Sequence, residues 1–138
     1  MITIRRADLD KLISHAKSCL PEEGCGLVGG RTEGNDRHIE AVYLLENKDH
    51  SDVHFSIDPK DQIAAIKDMR SKGLVQIGNW HSHPETPSRP SEEDIRLSYD
   101  STSSYLILSI MDRDAPVLNS FRVAERRDVT KEELVIIE

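Results

Sequence analysis

The sequence predicts a single α/β domain with a mixed sheet over residues 1–138, and three observations carry that expectation. Apolar runs of strand length alternate with stretches of helical periodicity. No internal repeat, low-complexity tract or linker interrupts them. A length of 138 residues suits one hydrophobic core, and with aromatics at 4% that core must be built from Ile, Leu and Val.

Each element has a local reason. Residues 2–4 form a short strand. A helix follows over about 7–20, because Leu9, Leu12, Ile13, Ala16 and Leu20 recur near helical spacing, and Pro21 helps close it. Residues 25–30 read as a buried strand. Gly34-Asn35-Asp36 marks a hairpin turn into a strand over 38–45, and a further strand is expected near 53–57. Asp58 is an N-cap, and Pro59 suits the first helical position of a helix running to about 71. Gly73 lies just past its end. Residues 74–80 form the next strand, which continues through His83 until Pro84 stops it. A helix starts at Ser91, and strands over 105–111, 117–123 and 134–137 complete the chain.

Composition narrows the function classes. Net charge is -7, from 18 Lys and Arg against 25 Asp and Glu, and no basic stripe suits a nucleic acid; Arg126-Arg127 is only a local patch. No apolar run approaches a membrane span, and the first residues, Met1 to Arg6, lack the apolar core of a signal peptide. A cytoplasmic location is expected. Cys19 and Cys25 are too few for a disulfide scaffold and match no zinc spacing. Cys25 reads as a packing residue.

The chemistry concentrates in His81-Ser82-His83-Pro84, followed by Ser91 and Asp94. Side chains alternate along a strand, so His81 and His83 project to one face and Ser82 to the other. Two imidazoles at a strand end can share a metal. A carboxylate from Asp94 would make three protein ligands and leave a fourth position open, the pattern of a catalytic zinc rather than a structural one. Ser91-Glu92-Glu93-Asp94 also reads as a helix-capping sequence; beside the two histidines Ser91 can serve both roles, and Asp94 is expected to turn toward the metal instead of the backbone. His50 and His54 are a decoy, since their spacing suits a shared metal only on a helix. His15 and His38 read as surface residues. Glu22 and Glu23 both stand upstream as candidate bases, and adjacent residues on a strand would face opposite ways.

This combination resembles the JAMM (MPN+) metalloproteases. His-x-His-Pro, then Ser-x-x-Asp, runs unbroken from His81 to Asp94, and Glu23-Gly24-Cys25-Gly26 fits the family's upstream glutamate, three residues before a glycine. Asn47 and the segment Phe55-Ser56-Ile57-Asp58-Pro59 are similar to the middle of the small prokaryotic members. The resemblance covers roughly residues 1–125. It implies a strongly curved sheet flanked by helices, similar in architecture to cytidine deaminases. It also selects Glu23 over Glu22 as the general acid-base residue.

From the resemblance follow one Zn2+ per chain on His81, His83 and Asp94, with Glu23 moving the proton and Ser91 donating to the oxyanion. The implied substrate is an amide bond at the C-terminus of a small ubiquitin-like sulfur-carrier protein ending in Gly-Gly. Residues 46–53 and 112–116 leave little room for the loops that clamp a ubiquitin chain. The alternatives are a peptidase of cell-wall or phage-tail type and a catalytically silent MPN scaffold. Silent members lack ligands, and here none is missing. A zinc deaminase would need P-C-x-x-C alongside its H-x-E, and no P-C-x-x-C occurs; a TIM-barrel hydrolase would need a far longer chain.

Overall fold

A long antiparallel hairpin, β2 (Cys25–Glu33) and β3 (Asp36–Leu45), frames the molecule. In the computed structural model, which describes residues 1–138, Gly34 turns this hairpin at φ +62°. On its free side β2 pairs antiparallel with β4 (Val75–His83), matching Cys25 to His81. Next, β5 (Ser104–Ser109) adds parallel to β4, and β6 (Val117–Ala124) and β7 (Asp128–Glu132) continue antiparallel. Beyond β3 lies β1 (Ile2–Arg5), parallel to it, and then β8 (Leu134–Ile137), parallel to β1. The order β7-β6-β5-β4-β2-β3-β1-β8 is one mixed sheet of eight strands.

The expected curvature follows from connectivity. β7 and β8 are opposite edges of the sheet, yet Glu133 alone separates them in sequence. The sheet must therefore curl until its edges approach, and the Ile2 N–H donates to the Glu133 carbonyl at 2.8 Å where they do. Register shifts on both sides of Gly29 add to the bend.

Helices cover both faces. α1 (Arg6–Cys19) buries Leu9, Leu12 and Ala16 against Ile4, Val28 and Trp80. α2 (Pro59–Ser71) starts as expected, the Asp58 carboxylate accepting from the Lys60 N–H at 2.9 Å. Its Ala65 and Met69 pack on Leu27. Leu27 and Val28, neighbours on one strand, thus serve two helices on two faces. α3 (Glu92–Arg96) is a single short turn beside the end of β4. No helix is long and apolar enough to cross a membrane.

Three expectations are corrected. Residues 53–57 form no strand. Ser51 Oγ accepts from the N–H groups of Val53 and His54, and Asn47 Oδ1 from that of Ser56, so short polar side chains take donors that a ladder would need. β7 was not expected, because Asp128-Val-Thr-Lys-Glu132 holds one apolar residue and exposes it. His15 and His38 are partly buried, His15 edging onto Trp80 and His38 bonding Thr3 Oγ1 at 2.9 Å.

Two glycines are needed for different reasons. A Cβ on Gly26 would stand 1.7 Å from the Tyr43 carbonyl oxygen and 2.6 Å from the Trp80 indole nitrogen, which itself donates to that carbonyl. A Cβ on Gly34 would meet nothing within 4 Å and suffer only from the positive φ. Chemical denaturation should show Gly26→Ala losing at least about 3 kcal/mol, since β2 and β3 must part. Gly34→Ala should lose about 1–2 kcal/mol.

Candidate metal centre

The last three residues of β4 are buried, and alternation divides them as expected. Ser82 points away from the centre, where its Oγ accepts from the Gly24 N–H at 2.7 Å while its own N–H donates to the Gly24 carbonyl at 2.9 Å. His81 and His83 share the other face. Their Nε2 atoms stand 3.1 Å apart, and Asp94 Oδ2 lies 3.2 and 3.1 Å from them.

These three atoms suit one cation. Ligands at about 2.0–2.1 Å around a tetrahedral centre stand about 3.3 Å apart, close to what is seen. With lone pairs on both Nε2 atoms, the two ring nitrogens and the carboxylate oxygen have no proton to share, and one cation would satisfy all three. The second ring nitrogens differ. His83 Nδ1 faces the Pro87 carbonyl at 2.9 Å, which favours a lone pair on Nε2 of the neutral ring. His81 Nδ1 is buried with no partner, and its ring is instead stacked on Phe55, centroids 4.6 Å apart and planes at 22°.

Asp94 serves the centre and the helix together, which corrects the expectation that it would abandon the backbone. Its Oδ2 accepts from the Ser91 N–H at 2.9 Å while Ser91 Oγ accepts from the Asp94 N–H at 3.0 Å, a complete capping box. The cap therefore aims the carboxylate. Burial would raise the Asp94 pKa, but hydrogen bonds with His81, His83 and the Ser91 backbone hold it well below the ordinary range. Burial likewise opposes protonation of His83, and its bonds to Asp94 and Pro87 outweigh that, leaving its pKa raised.

Glu23 stands before β2, not within it, so strand alternation is not what separates it from Glu22. The loop does that work. The Glu23 N–H donates to the Ser51 carbonyl at 2.8 Å, and its carbonyl accepts from Asn47 Nδ2 at 3.1 Å. Glu22 turns outward to His50 Nδ1, at 2.8 Å. The Glu23 side chain is 4% exposed, and Oε1 has no hydrogen-bond partner. Burial pushes its pKa up to about 8; the charge of His83 pulls down against this, and Asp94, Glu93 and Asp52 push further up.

Sequence reasoning passed over Asn47 as an organiser and Phe55 as a support. Asn47 also donates to the His54 carbonyl at 2.9 Å, so one buried amide fixes Glu23 and the loop carrying Phe55. Its polarity amid a loop and its place in the family resemblance were the available signals. The decoy pair separates: His50 meets Glu22, and His54 bonds Glu93 at 2.7 Å, tying the loop to α3. Cys25 is fully buried and its thiol is pushed up to about 12 by burial, which fits packing rather than nucleophilic chemistry.

Residues 5–124 match the family model for prokaryotic homologs of the JAB domain. The chain belongs to the prokaryotic JAB family. Among its relatives, it is 29% identical to the CysO-cysteine peptidase of Mycobacterium tuberculosis over 138 residues, covering 99% of this chain and 92% of that protein. A Thermus thermophilus protein named "Probable TtuB-protein conjugate cleaving protease" is 32% identical over 97 residues, or 70% of this chain and 62% of that one. Among solved structures, protein DSY2949 of Desulfitobacterium hafniense superposes with a TM-score of 0.92 at 48% identity, over 100% of this chain and 94% of that one.

For this member of the JAB family, the buried acid predicts a pH dependence in the metal-free state. Glu23 binds its proton up to about pH 8 when folded and only to about 4.5 in the ordinary state, so stability is full below that and falls as pH rises between them. The raised His83 acts in the same direction above its ordinary 6.5. Chelator-treated protein should lose stability from pH 5 to 8, by up to about 1.4 kcal/mol per pH unit for the one Glu23 proton. Glu23→Gln should flatten that slope, leaving only the smaller fall above pH 6.5, as read from denaturation midpoints.

Proposed function

We propose that this chain is a zinc peptidase that hydrolyses the amide bond at the Gly-Gly C-terminus of a small ubiquitin-like sulfur-carrier protein. The observation that carries this reading is the convergence of His81 Nε2, His83 Nε2 and Asp94 Oδ2, with the unpartnered Glu23 carboxyl buried beside them. The substrate class is supported by the CysO-cysteine peptidase, which matches nearly the full length of the chain. A cytoplasmic setting suits its two unpaired cysteines.

His81, His83 and Asp94 would hold the ion. When bound, zinc supplies Lewis-acid polarisation and lowers the pKa of water from 15.7 to about 7. The residues of the chain supply the rest. Glu23 accepts a proton from the attacking water as its oxygen bonds to the carbonyl carbon, and delivers it to the nitrogen as the C–N bond breaks. The products are a carboxylate on the carrier and a free amine. The Ser91 hydroxyl spends its lone pair on the Asp94 N–H, so its own proton remains free to donate to the carbonyl oxygen as charge develops. One such donor is worth about 3 kcal/mol. Ser82, Gly24 and Asn47 keep Glu23 in place from behind.

Metal and chemistry separate in a set of variants. His81→Ala, His83→Ala and Asp94→Ala should each purify with sub-stoichiometric zinc by elemental analysis. Glu23→Gln should keep about one zinc and lose about 10²- to 10⁴-fold in turnover. Glu22→Gln should stay near wild type, and Ser91→Ala should fall between the two. Wild-type zinc in all three ligand variants, or an active Glu23→Gln, would contradict the assignment.

A further inference from the structure

Two hollows border the centre, and they differ in the residues that line them. Beside Asp94 lies a cavity of about 310 Å³ with apolar walls, Phe55, Leu97, Ile107 and Val123 among them. A separate groove of about 230 Å³ is lined by His83, Thr86, Pro87, Arg89, Pro90 and Ser91, and Arg89 is its one permanently charged residue.

Arg89 is displayed from an unusually fixed loop. Between β4 and α3, the Pro84 carbonyl accepts from Arg113 and the Thr86 carbonyl from Ser109 Oγ at 2.6 Å. The Ser88 carbonyl accepts from Asn119 Nδ2 at 3.2 Å, and Ser88 Oγ donates to the Ile107 carbonyl at 2.6 Å. The Pro87 carbonyl takes both the His83 ring and the Arg89 N–H, the latter at 2.9 Å. So the carbonyl that orients His83 also fixes the backbone of Arg89, and Pro90 restrains it from the other side. The guanidinium itself is exposed and has no carboxylate partner. Glu85, the only acid in the loop, is paired with Arg113 at 2.8 Å. In a chain of net charge -7, an unpaired arginine carried on this pinned backbone, in the same groove as His83 and Ser91, is set to receive an anion from outside.

We infer that Arg89 binds the free α-carboxylate of a single C-terminal amino acid, and so makes this enzyme one that releases an amino acid from its carrier rather than one that detaches a carrier from a lysine. This rests on the function proposed above. The leaving amine of a C-terminal residue carries a carboxylate one carbon from the nitrogen being released, and on this inference that leaving group is seated in the groove lined by His83, Arg89 and Ser91. A lysine side chain as leaving amine brings no charge there. Arg89 is thus a specificity-determining residue: its planar guanidinium matches a carboxylate with two parallel hydrogen bonds. The acyl side of the substrate then takes the apolar cavity.

Two probes decide it: a ubiquitin-like carrier ending Gly-Gly-Cys as the free acid, and the same protein as the C-terminal carboxamide. Zinc-loaded wild type should prefer the acid, chiefly through KM. Arg89→Ala should cut that acid-over-amide preference by about 10- to 100-fold, the range for a hydrogen-bonded charge, with zinc content unchanged. Arg89→Lys should restore part of it. Equal cleavage of both probes by wild type, or an equal loss on both in Arg89→Ala, would overturn the carboxylate role while leaving the peptidase reading standing. No cleavage of either probe by zinc-loaded protein would count against the peptidase reading itself, and against this inference with it.

Discussion

Everything at this centre depends on where β4 stops and what holds it there. The strand is fixed on both sides, antiparallel to β2 and parallel to β5, through the register pairs Cys25↔His81 and His83↔Ser109. Because side chains alternate, one step along the strand assigns His81 and His83 to the open face and Ser82 to the packed one. The packed-face residue is as consequential as the histidines. Through two hydrogen bonds to Gly24, Ser82 fastens the segment carrying Glu23 to the strand carrying His81 and His83. A slip of one residue would reverse all of these assignments together.

The site gathers two histidines and two acids where water is largely excluded, an arrangement that costs stability unless a cation is shared among them. The electrostatics of the two acids reflect that cost. Glu23 is driven toward its neutral state, and Asp94 stays ionised only because the histidines and the Ser91 backbone hydrogen-bond to it. Supports that need no charge carry the remaining order: the Phe55 ring on His81, the Pro87 carbonyl on His83, the Asn47 amide behind Glu23.

Much of this was legible in the sequence. His81, His83 and Asp94 were readable because strand alternation and a helix cap are local rules that tertiary context seldom reverses. The hairpin at Gly34 and the capped start at Asp58 were readable for the same reason. The curvature required the resemblance, and its cause became visible only in the strand order, where Glu133 joins opposite edges. Residues 53–57 misled because β-branched and aromatic composition says nothing about whether a neighbouring strand exists. β7 stayed hidden because its polar sequence has no apolar alternation; it pairs with β6 through the backbone ladder and through Ser120 Oγ, which donates to Glu132 Oε1 at 2.8 Å. Arg89 carried no pattern of its own; its meaning comes from carbonyls pinned by Ser109, Arg113 and Asn119, all distant in sequence.

The central claim is that the end of β4 and the start of α3 jointly hold one ion. Anomalous diffraction at the zinc edge, from crystals of zinc-loaded protein, tests it most directly. The account predicts a single dominant peak within bonding distance of His81 Nε2, His83 Nε2 and an Asp94 carboxylate oxygen, with Glu23 nearby but not bonded to it. A dominant peak at Glu22, Glu46 and His50, or at either cysteine, with none between the two histidines, would contradict it.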